Sequence, residues 1–143
     1  LTIIGPLTFT LDDHALKRAE MDYAIGFEIE RFDTFEEFLK AHPNEEGYYV
    51  TRYSNKTYSD YDLKDVSKNY FFMFGRESTG IPKEILVEHF SHTMRIPMAI
   101  DARSLNLSNS VAIVLSEALR QQNFYSLATE ETIKGADFLS RFK

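Results

Sequence analysis

Between Ile96 and Ala112 the chain sets an apolar turn, an arginine and alternating serines and asparagines against the start of a helix: Ile96-Pro97-Met98, then Arg103-Ser104-Leu105-Asn106-Leu107-Ser108-Asn109. A helix N-terminus offers free N–H groups and a partial positive charge. Crowded with side-chain donors, such a place suits a polar cofactor or an anionic group. A second polar loop, Gly75-Arg76-Glu77-Ser78-Thr79-Gly80, follows the apolar run Tyr70–Phe74 and ends at Ile81-Pro82. Two such loops in one small chain point to one shared site. Other chemistry is thinly represented. His89 and His92 have a spacing compatible with metal ligation. The chain has no cysteine, however, and no acidic third ligand is well placed, so no metal is expected. Asp12-Asp13 reads as a helix start. Neither a Ser-His-Asp signature nor a phosphate-binding glycine loop is present.

The elements that must position these loops alternate between strand and helix. Thr2–Ile4 reads as a short strand stopped by Gly5-Pro6. Asp12 or Asp13 can cap a helix running to about Met21. Residues 27–31 alternate apolar and charged side chains, as a half-buried strand does. Thr34 with Glu37 three residues on predicts a capping box. The helix it opens would bury Phe35, Phe38 and Leu39 and end at Pro43-Asn44. Residues 48–51 read as a strand, and the polar, tyrosine-rich stretch 52–65 as a surface loop. Tyr70–Phe74 is a continuous apolar run, typical of a central parallel strand buried on both faces. Pro82 fits the first turn of a helix Lys83–Glu88, and residues 93–96 form the next strand. Ser108 is the expected cap of a helix reaching about Gln122, with Val111, Leu115, Ala118 and Leu119 on one face. Residues 129–142 add a candidate last helix. This order indicates an α/β fold with a mainly parallel sheet flanked by helices.

Composition sets the outer bounds. At 143 residues the chain is one domain by length. Its 43% hydrophobic and 27% charged content is that of a globular protein. No run of about 18 apolar residues suggests a membrane span, and the absence of cysteine suits a cytoplasmic protein. The net charge of −6 argues against a broad non-specific grip on nucleic acid. A local basic patch remains open, with Lys17, Arg18, Arg52, Lys56, Arg76 and Arg103 as candidates.

The two polar loops, in their order and spacing, resemble the second and third motifs of the SPOUT methyltransferases. In particular they are similar to the small bacterial tRNA (cytidine/uridine-34-2'-O)-methyltransferase subfamily, TrmL/YibK. Pro6-Leu7-Thr8-Phe9, Asp12-Asp13, Leu16-Lys17-Arg18-Ala19 and Met21-Asp22-Tyr23 extend the resemblance toward the start. It implies an α/β knot with a deep C-terminal trefoil in the segment from about Tyr70 to Gln122. It implies a homodimer and transfer of a methyl group from S-adenosylmethionine, without a metal, to the 2'-hydroxyl of nucleotide 34 in the anticodon stem-loop of leucine tRNA. By the same resemblance, Val50, Thr51, Gly75, Glu77, Ile96, Met98, Ser104 and Leu105 hold the cofactor. Ser104 and Asn106 stand at the reacting ribose, and Arg103 and Asn109 meet RNA. Glu77 would order its loop by accepting N–H bonds or help to bind the nucleotide, and Gly80 would take a positive φ. The family's first motif, Asn-x-Gly-Asn-x-x-Arg, is absent, so residues 1–143 read as a single domain lacking an N-terminal strand-helix unit. Two alternatives stand beside this reading. One is a SPOUT 2'-O-methyltransferase for another tRNA position or rRNA, and the other a non-catalytic RNA-binding module.

Overall fold

The computed structural model describes residues 1–6 and 28–142. They fall into two compact units, Leu1–Asn44 and Glu45–Lys143. In the first, β1 (Thr2–Ile4) pairs in parallel with β2 (Glu30–Phe32), Thr2 opposite Glu30. The expected helix from Asp12 to Met21 lies outside the described residues. Helix α1 (Phe35–Ala41) starts as its capping signal demands. Thr34 Oγ1 accepts the Glu37 N–H at 3.2 Å. The returning carboxylate of Glu37 takes the N–H of Asp33 at 3.1 Å, one residue before the cap. Phe35 and Phe38 are buried, and Phe38 meets the Phe32 ring edge-on, centroids 5.7 Å apart. Leu39 is only half-buried.

The second unit is a three-stranded parallel sheet with helices. Strand β3 (Glu46–Val50) lies between β4 (Tyr70–Phe74) and β5 (Thr93–Met94). The apolar run Tyr70–Phe74 was expected to be central and buried on both faces. Among the described residues it is an edge strand of this sheet and half-buried throughout. The centre belongs to β3, where Tyr48 and Tyr49 are buried, because the chain crosses back over β3 after β4 and adds β5 on its far side. Strand β5 is shorter than the expected 93–96. After Met94 the hydrogen bonding passes to the preceding loop, with Arg95 N–H donating to Lys56 O at 2.8 Å and Tyr58 N–H to Arg95 O at 3.0 Å.

That loop, residues 51–69, is not the surface excursion its polarity suggests. Leu63 is fully buried in a core with Tyr48, Met94, Val114 and Ala118. The polar side chains satisfy backbone groups that the loop carries inward. Leu63 N–H donates to Gln121 Oε1 at 2.8 Å, Gln121 Nε2 to Tyr61 O at 3.0 Å, and Gln122 Nε2 to Leu63 O at 3.0 Å. Ser54 Oγ and the Tyr61 hydroxyl both donate to Thr93 O, at 2.7 and 2.6 Å. Glu117 steadies the Gln121 amide by accepting from Nε2 at 2.9 Å. Hydrogen bonds from Arg120 and then Gln121 hold the Glu117 carboxyl down at about 2.

Helix α2 (Lys83–Glu88) has Pro82 as its N-cap rather than inside its first turn. Helix α3 (Leu107–Gln121) is capped by Asn106, not Ser108. Asn106 Oδ1 accepts the N–H groups of Ser108 at 3.0 Å and Asn109 at 3.3 Å, so the helix begins two residues earlier. Its buried residues are Val114 and Ala118. Leu119 is half-buried, while Val111 and Leu115 face outward. The expected helix over 129–142 is reduced to a 3-10 turn, Phe138–Phe142. Gly135, at φ 92°, breaks any longer helix. Among the described residues no helix is long and apolar enough to cross a membrane.

Candidate functional site

Parallel sheets leave their ligand sites at the C-terminal ends of the strands, where the following loops diverge. Here β3 ends at Val50 and β4 at Phe74, and the chain leaving β5 runs through Ile96 and Met98 to the cap of α3. These three departures surround a cleft of about 390 Å³. Val50, Thr51, Gly75, Glu77, Ile96, Met98, Arg103, Ser104 and Leu105 all line it, as the sequence reading expects. Asn106 and Asn109 do not. Asn106 is exposed at the helix start, where its Oδ1 is committed to the cap, and Asn109 is exposed in the first turn.

Gly75 is required by the loop itself. A Cβ there would fall on the backbone of Gly80 and Ile81. The glycine therefore lets the loop close on itself, before any ligand is considered. The closure is a backbone bond from Gly80 N–H to Arg76 O at 2.8 Å, and Gly80 has the expected positive φ of 74°. This turn orders the loop without Glu77, whose carboxylate accepts no hydrogen bond among the described residues. Glu77 stands exposed on the cleft wall, available to a ligand.

The wall also holds residues the sequence reading did not place there: Arg52, Tyr53, Ser78, Thr79, Leu107 and Ser110. Arg52 and Arg76 were read only as scattered basic candidates. Together with Arg103 they set three guanidinium groups around one opening, with Glu77 the one carboxylate on the wall among the described residues. Of the other basic candidates, Lys56 lies over the Tyr61 ring, and Lys17 and Arg18 fall outside the described residues. His89 stacks on Tyr49 and His92 packs edge-on against Tyr48, so the two imidazoles serve different rings. No group of three or more metal-type ligands occurs among the described residues.

An apolar floor, hydroxyl groups and a cationic rim can enclose a mixed ligand and face an anionic one. Comparison with known proteins agrees with that chemistry. A Geobacillus stearothermophilus protein assigned provisionally as a tRNA (cytidine(34)-2'-O)-methyltransferase is 45% identical over 128 residues, covering 90% of this chain and 82% of that one. A Bacillus anthracis protein assigned provisionally as an RNA methyltransferase has a crystal structure that matches with a TM-score of 0.84 at 43% identity, over 91% of this chain and 82% of that one. A structure described as giving insight into 2-OH methylation of C/U34 on tRNA matches at 0.74 and 31% identity, over 86% and 78%. An AdoMet-bound rRNA methyltransferase from Sinorhizobium meliloti matches at 0.69 and 27% identity, over 89% of this chain and 46% of that one. Residues 1–116 match the SpoU rRNA Methylase family, and with relatives at this identity over most of their length the chain belongs to that family of RNA methyltransferases.

Proposed function

We propose that this methyltransferase transfers a methyl group from S-adenosylmethionine to the 2'-hydroxyl of the wobble nucleotide, cytidine or uridine 34, of leucine tRNA. The observation that carries the reading is the meeting of three loops, after β3, β4 and β5, in one cleft. Relatives named for this position of tRNA support the substrate, and the AdoMet-bound neighbour supports the cofactor. The cleft fits the cofactor. Its volume lies in the range of about 300–1,000 Å³ common to small-molecule sites. Val50, Ile96, Met98 and Leu105 offer apolar walls for an adenine, and Thr51, Ser78, Thr79 and Ser104 offer hydroxyls for the ribose and amino-acid parts.

When bound, the cofactor supplies a methyl group on a positively charged sulfur, already activated for transfer. The protein's share is positioning. The closed turn from Arg76 to Gly80 fixes the backbone on one side of the cleft. Ser104 Oγ has no partner among the described residues and can hydrogen-bond a ribose. Asn106 keeps its amide Nδ2 for a donor role, since Oδ1 is taken by the helix start. Arg103, and Asn109 in the first turn of α3, face RNA. In this reading the segment from Tyr70 to Gln122 is threaded as a trefoil knot, and residues 1–143 make up one SPOUT domain. Two copies pair and cradle the anticodon stem-loop. The outward apolar stripe Leu107, Val111 and Leu115 supports a subunit contact through α3. The reading assigns the reaction to the cytoplasm, which a tRNA substrate supports.

Nucleoside mass spectrometry of unmodified leucine tRNA, incubated with the protein and S-adenosylmethionine, tests the reading. A 2'-O-methyl group on nucleotide 34 is expected. Folded tRNA left unmethylated at that position would overturn the assignment.

A further inference from the structure

Tyr53 is 57% exposed on the wall of the cleft, beside the loop that closes the cofactor side. Its position is fixed from both directions. Its N–H donates to Thr51 Oγ1 at 3.3 Å, and the next residue, Ser54, is buried and tied to Thr93 O. Two cations gather at its ring, Lys83 Nζ at 4.4 Å and Arg52 Cζ at 5.8 Å from the centroid. Neither has an acidic partner among the described residues. An anchored, solvent-facing aromatic ring flanked by unpaired cations is what single-stranded nucleic acid uses. A base stacks on the ring while the adjoining phosphate meets the cations. The net charge of −6 makes this more than a sample of a basic surface.

We propose that Tyr53 is a stacking platform for a nucleobase next to the methylated nucleotide, with Arg52 and Lys83 holding the phosphate between them. The inference rests on the reading of the cleft as an RNA 2'-O-methyltransferase site and adds how the strand is held there. To turn a ribose into the cleft, the RNA must splay that nucleotide from its neighbours. A ring at the mouth replaces the stacking partner that a neighbouring base then loses.

The chain contains no tryptophan, so Tyr53→Trp introduces a single indole emitter at the platform. Titrating this variant with a leucine tRNA anticodon stem-loop oligonucleotide is expected to quench its emission, with the same midpoint as RNA binding followed by anisotropy. Tyr53→Ala is expected to weaken RNA binding about tenfold, with the affinity for S-adenosylmethionine and the melting temperature unchanged. Tyr53→Phe is expected to bind as the native protein does. Unchanged tryptophan emission while RNA binds would overturn the platform, as would a Tyr53→Ala variant that keeps its RNA affinity or loses cofactor affinity in parallel. Failure of the native protein to methylate nucleotide 34 would strike the functional reading itself. Methylation by the native protein, with RNA affinity unaltered in Tyr53→Ala, would strike only the platform.

Discussion

Asn106 caps α3 in the structure, and the proposed function gives it a second duty at the ribose. Its Oδ1 accepts the first free N–H groups of α3, and this fixes where the helix and the Arg103–Leu105 wall begin. Only Nδ2 is left for substrate. The sequence reading put Asn106 at the ribose and gave the cap to Ser108. Both residue types are good caps, so composition could not choose between them. Substitution separates the duties. Asn106→Ala should cost about 1 kcal/mol of stability through the lost cap, seen as a lower melting temperature. Asn106→Asp keeps the acceptor and should melt like the native protein, while its methylation rate at saturating cofactor falls because the Nδ2 donor is gone. A full rate in Asn106→Asp would leave Asn106 a cap and nothing more. Gly75 carries the same lesson in another form. A glycine in a motif is visible in the sequence, but whether a ligand or the chain's own backbone approaches it is decided only by the path of the loop.

Much of the element order was legible because the local signals agree with the tertiary packing. Thr34 with Glu37, the apolar run Tyr70–Phe74 and the helix Lys83–Glu88 all appear where the pattern put them. The misreadings lie where two patterns are equally good. On α3 the stripe 107/111/115 and the stripe 114/118 are both apolar, and helical periodicity does not say which faces inward. Residues 51–69 have no period at all. Their anchor is a lone leucine among tyrosines, acids and lysines, buried against Tyr48, Met94, Val114 and Ala118, and its backbone is satisfied by glutamine amides nearly 60 residues away. Leu63→Ala should therefore act as a core mutation, costing about 2–5 kcal/mol in chemical denaturation. Because this loop starts at Thr51 on the cleft wall and pairs with the segment leading to Ile96, cofactor affinity should fall with it. A cost well below 1 kcal/mol would show that the loop is not held by its leucine.

At the scale of the whole molecule, charge decides what approaches and where. A chain of net charge −6 repels nucleic acid over most of its surface, yet Arg52, Arg76 and Arg103 come from three separate loops to one opening. The sequence lists those arginines at intervals of about 25 residues. Only the parallel strands, by ending side by side, turn them into a field. The cleft lining was legible at Gly75, Glu77, Ile96, Met98, Ser104 and Leu105 because these residues sit inside two compact motifs, and at Val50 and Thr51 through the family resemblance. The cationic rim was not, since it exists only after folding. The consequence can be read from salt dependence. Each phosphate contact adds about 0.7–0.9 to the slope of log affinity against log salt. Replacing Arg52, Arg76 or Arg103 by alanine should each flatten the slope for tRNA by about that amount, and the triple variant by the sum. The affinity for S-adenosylmethionine should show little salt dependence in any of them, because the cofactor has no phosphate and only a single net positive charge. A triple variant with the native slope for tRNA would mean that the RNA reaches the cleft by a path that avoids this rim.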